Sequence, residues 1–355
     1  MEPFLSSAYQ PVLHVGRGPI VESVHAGAVV VADREGVVRV WWGDPEVVTY
    51  SRSSAKPFQA VPLIESGGKE FFDLSPEEIA VTCASHSGTD RHVAVLRRYQ
   101  EKIGVSEKDL LCGTHLPIDR TTAEHLIREG ISPTPIRHNC SGKHTGMLAL
   151  ARLKGLPLSD YTDKDHPVQQ LILNTFAEIC GYPKDQIRIG IDGCSVPVYA
   201  IPLRYFARAY ARLVDPVEFF PSRADALRLI GGAMSTHPFM VAGPDRFDTR
   251  LMEVTGGRLV SKGGAEGFQG IGIQQGALYP GSPALGVAIK IADGDTANRA
   301  GAAVVVEVLR QIGAITDSEA GEVLPDEKKI VRNSRGLSVG ELIPVFQLQG
   351  NVREI

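Results

Sequence analysis

Residues 28–41 read AVVVADREGVVRVW: an apolar run from Ala28 to Ala32, the turn Asp33-Arg34-Glu35-Gly36, and a second run from Val37 to Trp41. β-Branched residues on both sides of a short glycine-containing turn predict paired strands. The same signature returns far along the chain. Leu259-Val260-Ser261, Phe268 to Ile273 and Leu285 to Ile291 read as strands, the last alternating Leu285, Val287, Ile289 and Ile291 with Gly286, Ala288 and Lys290. Between these regions, from about Ser53 to Thr236, the punctuation is helical. Ser75-Pro76-Glu77-Glu78 supplies a cap, a first-turn proline and a capping-box glutamate. Asp90 precedes the stripe Val93, Leu96, Tyr99 and Ile103, which Gly104 stops. Pro167 opens a helix that ends before Gly181, and Ser222 with Asp225 starts another. Asp295 or Thr296 then begins a helix carrying Val305, Leu309 and Ile312. The expectation is an α/β (α+β) protein. Residues 1–52 and 240–355 would form a mainly antiparallel sheet domain, residues 53–239 an inserted helical domain, with the active site between them.

Composition narrows the function. At 355 residues the chain has room for two domains. Apolar residues at 43% and charged residues at 22% are ordinary for a soluble protein and exclude disordered and collagen-like classes. A net charge of −4 offers no basic footprint, so nucleic acid is not an expected partner. No run approaches the length of a transmembrane helix, and the first residues lack a secretory pattern, so a cytoplasmic location is expected with no membrane partner. Five cysteines, scattered and odd in number, do not make a disulfide framework. Lysine is scarce, 12 against 25 arginines, so a lysine in an unusual setting is informative.

Two such settings contain serine. Ser53-Ser54-Ala55-Lys56 reads S-x-x-K at a strand-to-helix transition, where positions i and i+3 share a helix face. A dry surrounding and the positive end of the helix dipole both disfavour the ammonium, and a neutral amine can take a serine proton. The tetrapeptide by itself is more often a helix cap followed by a solvated lysine. Ser261-Lys262-Gly263-Gly264 supplies a partner, a strand lysine followed by small residues that leave room for substrate. Three further islands are denser in polar chemistry than a core requires: Cys83–Gly88 (CASHSG), His138–Gly146 (HNCSGKHTG) and Asp192–Pro197 (DGCSVP). Spacing alone would favour His138 or His144 as metal ligands, or leave the thiols as buried core.

Taken together, RSSAKPFQ from Arg52, CASHSG from Cys83, HNCSGKHTGML from His138, DGCSVPVYAIPL from Asp192 and SKGGAEG from Ser261 resemble the L-asparaginase II family of thermolabile bacterial type. The resemblance implies a serine-β-lactamase-like fold and hydrolysis of L-asparagine to L-aspartate and ammonia. It implies two Ser/Lys pairs, falling here on Ser53 with Lys56 and on Ser85 with Lys262. It also implies a zinc ion on Cys140, Lys143 and Cys194 with Asp192 close by, and a homodimer. Two positions depart from the family pattern: Thr89 stands where an acidic residue often follows CASHSG, and Ser195 where glycine often follows DGC.

On this reading Ser53 attacks the side-chain amide, Lys56 relays its proton to the departing ammonia, and water hydrolyses the acyl-enzyme. Arg52, His86, His144 and Asp192 are the candidate shell for the amino-acid substrate. Cys112 and Cys180 are expected to be structural. Glutaminase or another serine amidohydrolase on the same framework is the nearest alternative. A zinc-binding homologue without catalysis, and a cysteine hydrolase using Cys140 or Cys194, are the others.

Overall fold

A computed structural model describes residues 8–351. The chain divides into two compact units. One takes the described residues up to Ser54, then Ile201–Asp215, then those from Arg250 onward; the other takes Ala55–Ala200 and Pro216–Thr249.

The first unit is built on an antiparallel sheet. Its strands run in the order Ile330–Arg332, Ser338–Pro344, Gln10–Arg17, Ile20–Asp33, Leu285–Ile291, Phe268–Ile273 and Leu259–Gly264. The hairpin read from residues 28–41 is present: Val29 to Ala32 pair with Trp42 to Val38. The other edge of the long strand Ile20–Asp33 takes Leu285–Ile291, with Val30 opposite Ala288. N-terminal and C-terminal segments therefore share one sheet. All seven residues of Leu285–Ile291 are buried, as befits a strand covered on both faces.

One covering element is the helix Leu203–Val214, a segment that the sequence reading placed with the helices of 53–239. Small residues admit it. A side chain on Gly286 would meet the Ala207 carbonyl at 1.8 Å, and one on Gly270 would meet the Tyr210 ring at 2.0 Å. The glycines of these two strands thus form the floor on which the helix lies.

The second unit is helical around Lys56–Glu65, whose residues Lys56 to Ile64 are all buried. This helix packs against Ser141–Leu153, Pro167–Cys180 and Pro221–Thr236. A helix apolar on every side must be central. The expected Ser75/Glu78 capping box is formed in both directions, and Gly104 and Gly181 end their helices in the left-handed conformation.

Two helix starts differ from the sequence reading. Phe220 is the N-cap of Pro221–Thr236, so Ser222 lies inside its first turn and Asp225 just beyond it. The C-terminal helix is Gly301–Gln311, and Asp295 caps it from a distance by accepting from the amides of Arg299, Ala300 and Gly301. Among the described residues, no helix is long and apolar enough to cross a membrane.

Candidate active site

In the first unit the strand Val48–Tyr50 gives way to a 3-10 turn, Arg52–Ala55, with Arg52 at φ +50°. That backbone conformation is costly for a residue with a side chain, and sharp turns of this kind collect at functional sites. Ser53 is half-buried on the turn. Its neighbour Ser54 is fully buried and donates from Oγ to the main-chain carbonyl of Lys262 at 2.6 Å. Tyr210 donates its hydroxyl to the Ser54 carbonyl at 2.7 Å. Turn, strand and helix are pinned together within this unit.

Lys262 is 1% exposed, and its Nζ donates to the Gly263 carbonyl at 2.6 Å. The space beside Gly264 is filled from within the chain: a side chain there would meet the Ser51 carbonyl at 2.4 Å. The small residues after Lys262 therefore serve, at Gly264, the approach of the serine-bearing turn. Arg52 lies 3.7 Å from the Glu266 carboxylate.

In the second unit Lys56 opens the central helix and is 1% exposed. Its Nζ donates to the Ala84 carbonyl at 2.6 Å, to Ser85 Oγ at 3.0 Å and to the Asn139 carbonyl at 3.5 Å. The sequence reading paired Lys56 with Ser53 and Ser85 with Lys262; in the structure Lys56 meets Ser85. The loop carrying Ser85 is set by its main chain and neighbours. The Ser85 amide donates to the Val241 carbonyl at 2.9 Å, and Ser87 Oγ donates to the Ala242 carbonyl at 2.7 Å.

His86, a candidate for the substrate shell, is fully buried with both ring nitrogens engaged. Nδ1 accepts from the Gly88 amide at 3.1 Å, which leaves Nε2 to donate to Ser141 Oγ at 2.8 Å. Burial holds this imidazole well below its ordinary range, with His92 and Lys56 adding to the effect. It is a neutral strut between the two loops. His144 is also fully buried, and burial again keeps it neutral, followed by the charge of Lys143. Tyr161 accepts from the Leu111 amide and can donate to His144 Nδ1 at 2.7 Å, which puts the ring proton on Nε2. That Nε2 is buried without a protein partner.

The third cluster lies at the start of the helix Ser141–Leu153. Cys140 is its N-cap residue, and a side chain on Gly142 would meet the Val81 carbonyl at 2.0 Å, so the helix packs backbone to backbone on Pro76–Thr82. Cys194 arrives on the turn leading to the strand Pro197–Pro202, where Ser195 is held at φ +72°. Lys143 Nζ donates to Cys194 Sγ at 2.9 Å. Asp192 is partly exposed and accepts from the Gly193 amide. Hydrogen bonding with Cys194 lowers the Cys140 thiol well below its usual range against the cost of burial, with Lys56 and Lys143 assisting. Burial would push Lys143 down, but Cys194, Cys140 and Asp192 outweigh it and hold the amine above its ordinary value.

Among the described residues no three His, Cys, Asp or Glu side chains are disposed to hold a metal. The set at this site is instead two thiols and an amine. It fits a thiophilic cation, because the negative charge that now retains the Lys143 proton would equally retain a dication once that proton is lost. His138 is not free for the role at Nδ1, which accepts from the Cys140 amide at 3.0 Å. Cys112 is inert by comparison, since burial pushes its thiol up to about 12.

The order of these clusters along the chain matches a known pattern. The L-asparaginase II family model covers residues 13–344. The chain belongs to the L-asparaginase II family. As a member of that family it is an amidohydrolase. Among solved structures it is similar to a probable glutaminase from Bacillus subtilis complexed with 6-diazo-5-oxo-L-norleucine, at 12% identity and TM-score 0.39, covering 80% of this chain and 83% of that one. It is also similar to Mglu in its native form in the presence of 4.3M NaCl, at 14% identity and TM-score 0.35, covering 82% of this chain and 62% of that one. No curated protein matches the chain. Within the L-asparaginase II family, Thr89 acts here as a helix cap, accepting from the His92 amide.

Sequence reasoning missed His115, Asn139 as a main-chain acceptor, and Tyr161. The Asn139 carbonyl accepts from the Lys56 amine, His115 accepts from the Asn139 amide, and Tyr161 orients His144. None of them stands in a spacing that marks chemistry. The HNCSGK run did include Asn139, but nothing in it shows that the main-chain oxygen is the working atom.

Proposed function

We propose that this L-asparaginase II family protein hydrolyses L-asparagine to L-aspartate and ammonia through a Ser/Lys-activated acyl-enzyme on a serine-β-lactamase-like framework. The observation that carries the reading is the buried contact of Lys56 Nζ with Ser85 Oγ at 3.0 Å. A buried amine beside a hydroxyl is what proton transfer to and from serine requires. Two carbonyls, Ala84 and Asn139, already take N–H bonds from Lys56. Ser85 Oγ is the third acceptor, so every donor position of the amine is directed, and loss of the proton along the third leaves a lone pair facing that hydroxyl.

In this mechanism Ser53 attacks the side-chain amide carbon. Lys56 takes the serine proton and gives it to the leaving nitrogen, so ammonia departs and an aspartyl ester remains. Water then attacks the ester, its proton returns through the lysine to the serine oxygen, and aspartate is released. Ser85 and Lys262 form the second proton path. His144 Nε2–H, a buried donor without a protein partner, is suited to the substrate's polar groups. Arg52 and Asp192 serve the carboxylate and ammonium ends of the amino acid.

Cys140, Lys143 and Cys194 would hold a zinc ion, which would supply Lewis-acid polarisation and orientation. The Lys56–Ser85 contact also favours a second reading, in which Ser85 is the nucleophile and Ser53 the helper.

Steady-state ammonia release from asparagine and glutamine, with and without chelator, tests substrate and metal together. Ser53→Ala should lower asparagine turnover by about a thousandfold or more with unchanged melting, while acid-quenched wild-type enzyme carries an aspartyl group on the Ser53 peptide. An aspartyl group on the Ser85 peptide would move the nucleophile to the second reading. Preferential glutamine turnover would make the protein a glutaminase. Metal analysis of Lys143→Ala against wild type tests the zinc assignment, and sedimentation tests the homodimer.

A further inference from the structure

We infer that His115 is a positioning residue for the Lys56 amine, acting through the Asn139 peptide. The inference rests on the Ser/Lys hydrolysis proposed above and adds a residue to it. His115 Nδ1 lies 2.6 Å from the Leu116 carbonyl, and a carbonyl only accepts, so Nδ1 carries the ring proton. Nε2 is then an acceptor. It takes the Asn139 main-chain N–H at 3.2 Å. The terminal amide of Asn139 lies 3.3 Å from the same nitrogen through the atom placed as Oδ1, and exchanging O and N turns this approach into a second donation. The His115 ring also packs on His138, with centroids 4.3 Å apart, which fixes its plane.

Asn139 is thus held at its amide and its side chain while its carbonyl faces Lys56 Nζ at 3.5 Å. That carbonyl is one of two main-chain acceptors on Lys56, the other being Ala84 at 2.6 Å. With both in place beside Ser85 Oγ at 3.0 Å, all three positions on the Lys56 amine are directed, and the one used for proton transfer faces the hydroxyl. With Asn139 released, the amine turns about the Cε–Nζ bond and its lone pair no longer has a unique direction. Because a general base works only when its lone pair is aligned with the proton, the loss appears in turnover rather than in substrate binding.

The test compares His115→Phe, which keeps a flat ring without an acceptor, with His115→Gln, whose Oε1 can accept the Asn139 N–H. His115→Ala gives the same comparison should the phenylalanine variant not fold. Turnover is measured on asparagine and glutamine, so a wild type active only on glutamine corrects the substrate while leaving the comparison intact. The expected result is kcat about tenfold lower in His115→Phe with KM within about twofold, and His115→Gln within about twofold of wild type. Crystal structures of the variants provide a readout independent of activity: the Asn139 carbonyl leaves Lys56 Nζ in the phenylalanine variant and stays in the glutamine variant. Equal kcat in wild type and His115→Phe, a loss confined to KM, or an Asn139 carbonyl unmoved in His115→Phe overturns the inference.

Discussion

Ser54 Oγ donates to the Lys262 carbonyl at 2.6 Å, joining residues 208 positions apart in the chain. Ser54 has no accessible surface, so Ser54→Ala leaves a buried carbonyl short of a donor. A loss of about 1–3 kcal/mol is expected, read as a lower urea midpoint. Because the same bond aligns the turn bearing Ser53, turnover should fall in Ser54→Ala even where the protein remains folded. Unchanged stability would show that the Lys262 carbonyl finds another donor.

Gly142 sits where the helix Ser141–Leu153 touches the main chain at Val81, and a Cβ there would lie 2.0 Å from that carbonyl oxygen. Backbone cannot swing aside as a side chain can. Gly142→Ala is expected to cost about 3 kcal/mol or more, and to loosen Cys140 and Lys143 on either side of it. Thermal melting and metal content measured together check both consequences.

Ser195 occupies a left-handed backbone conformation, φ +72°, between Cys194 and Val196. Glycine adopts it without a Cβ penalty. Ser195→Gly should therefore stabilise the protein by about 1 kcal/mol, seen as a higher melting temperature. A fall in melting temperature would mean that the serine side chain contributes more than its backbone costs.

His92 is buried between His86 and Phe239, with ring centroids 4.9 and 5.0 Å away. Burial lowers its pKa from 6.5 to about 4, with Arg91 assisting and the bond to the Phe239 carbonyl opposing. The unfolded chain takes up this proton before the folded one does. The stabilising contribution is complete above about pH 6.5 and is lost as pH falls toward 4. It amounts to about 2 kcal/mol between about pH 7 and pH 5. Denaturant unfolding of wild type and His92→Gln at both pH values should show a smaller pH effect in the variant.

Helix punctuation was legible at several points because a cap is local chemistry. Ser75 with Glu78, Gly104 and Gly181 each act within a few residues of their own position. Local reading failed where the partner was distant. Ser222 and Asp225 look like a helix start, yet Pro221 already begins the helix behind Phe220. Asp295 reads as an adjacent cap, but reaches forward to the amides of residues 299–301. The strands Gln10–Arg17 and Ser338–Pro344 carry a weaker signal because their outer positions are half-exposed and mixed in character.

The candidate site divides along the same line. Ser53, Lys56, Ser85, Lys262, Cys140, Lys143 and Cys194 stood out because serine, cysteine and scarce lysine cluster in short polar runs. Sequence by itself determined the family, the residue types available for chemistry, and a sheet drawing strands from both ends of the chain, since motif order and hydrophobic period are properties of the chain. Only the tertiary structure decided that Lys56 meets Ser85, that Cys194 reaches Lys143, and that the main chain of Ala84 and Asn139 orients the Lys56 amine. Those relationships join residues through space, and the last of them uses carbonyl groups that every residue type carries alike. No choice of side chain announces which carbonyl will face an amine; packing of the loops decides it.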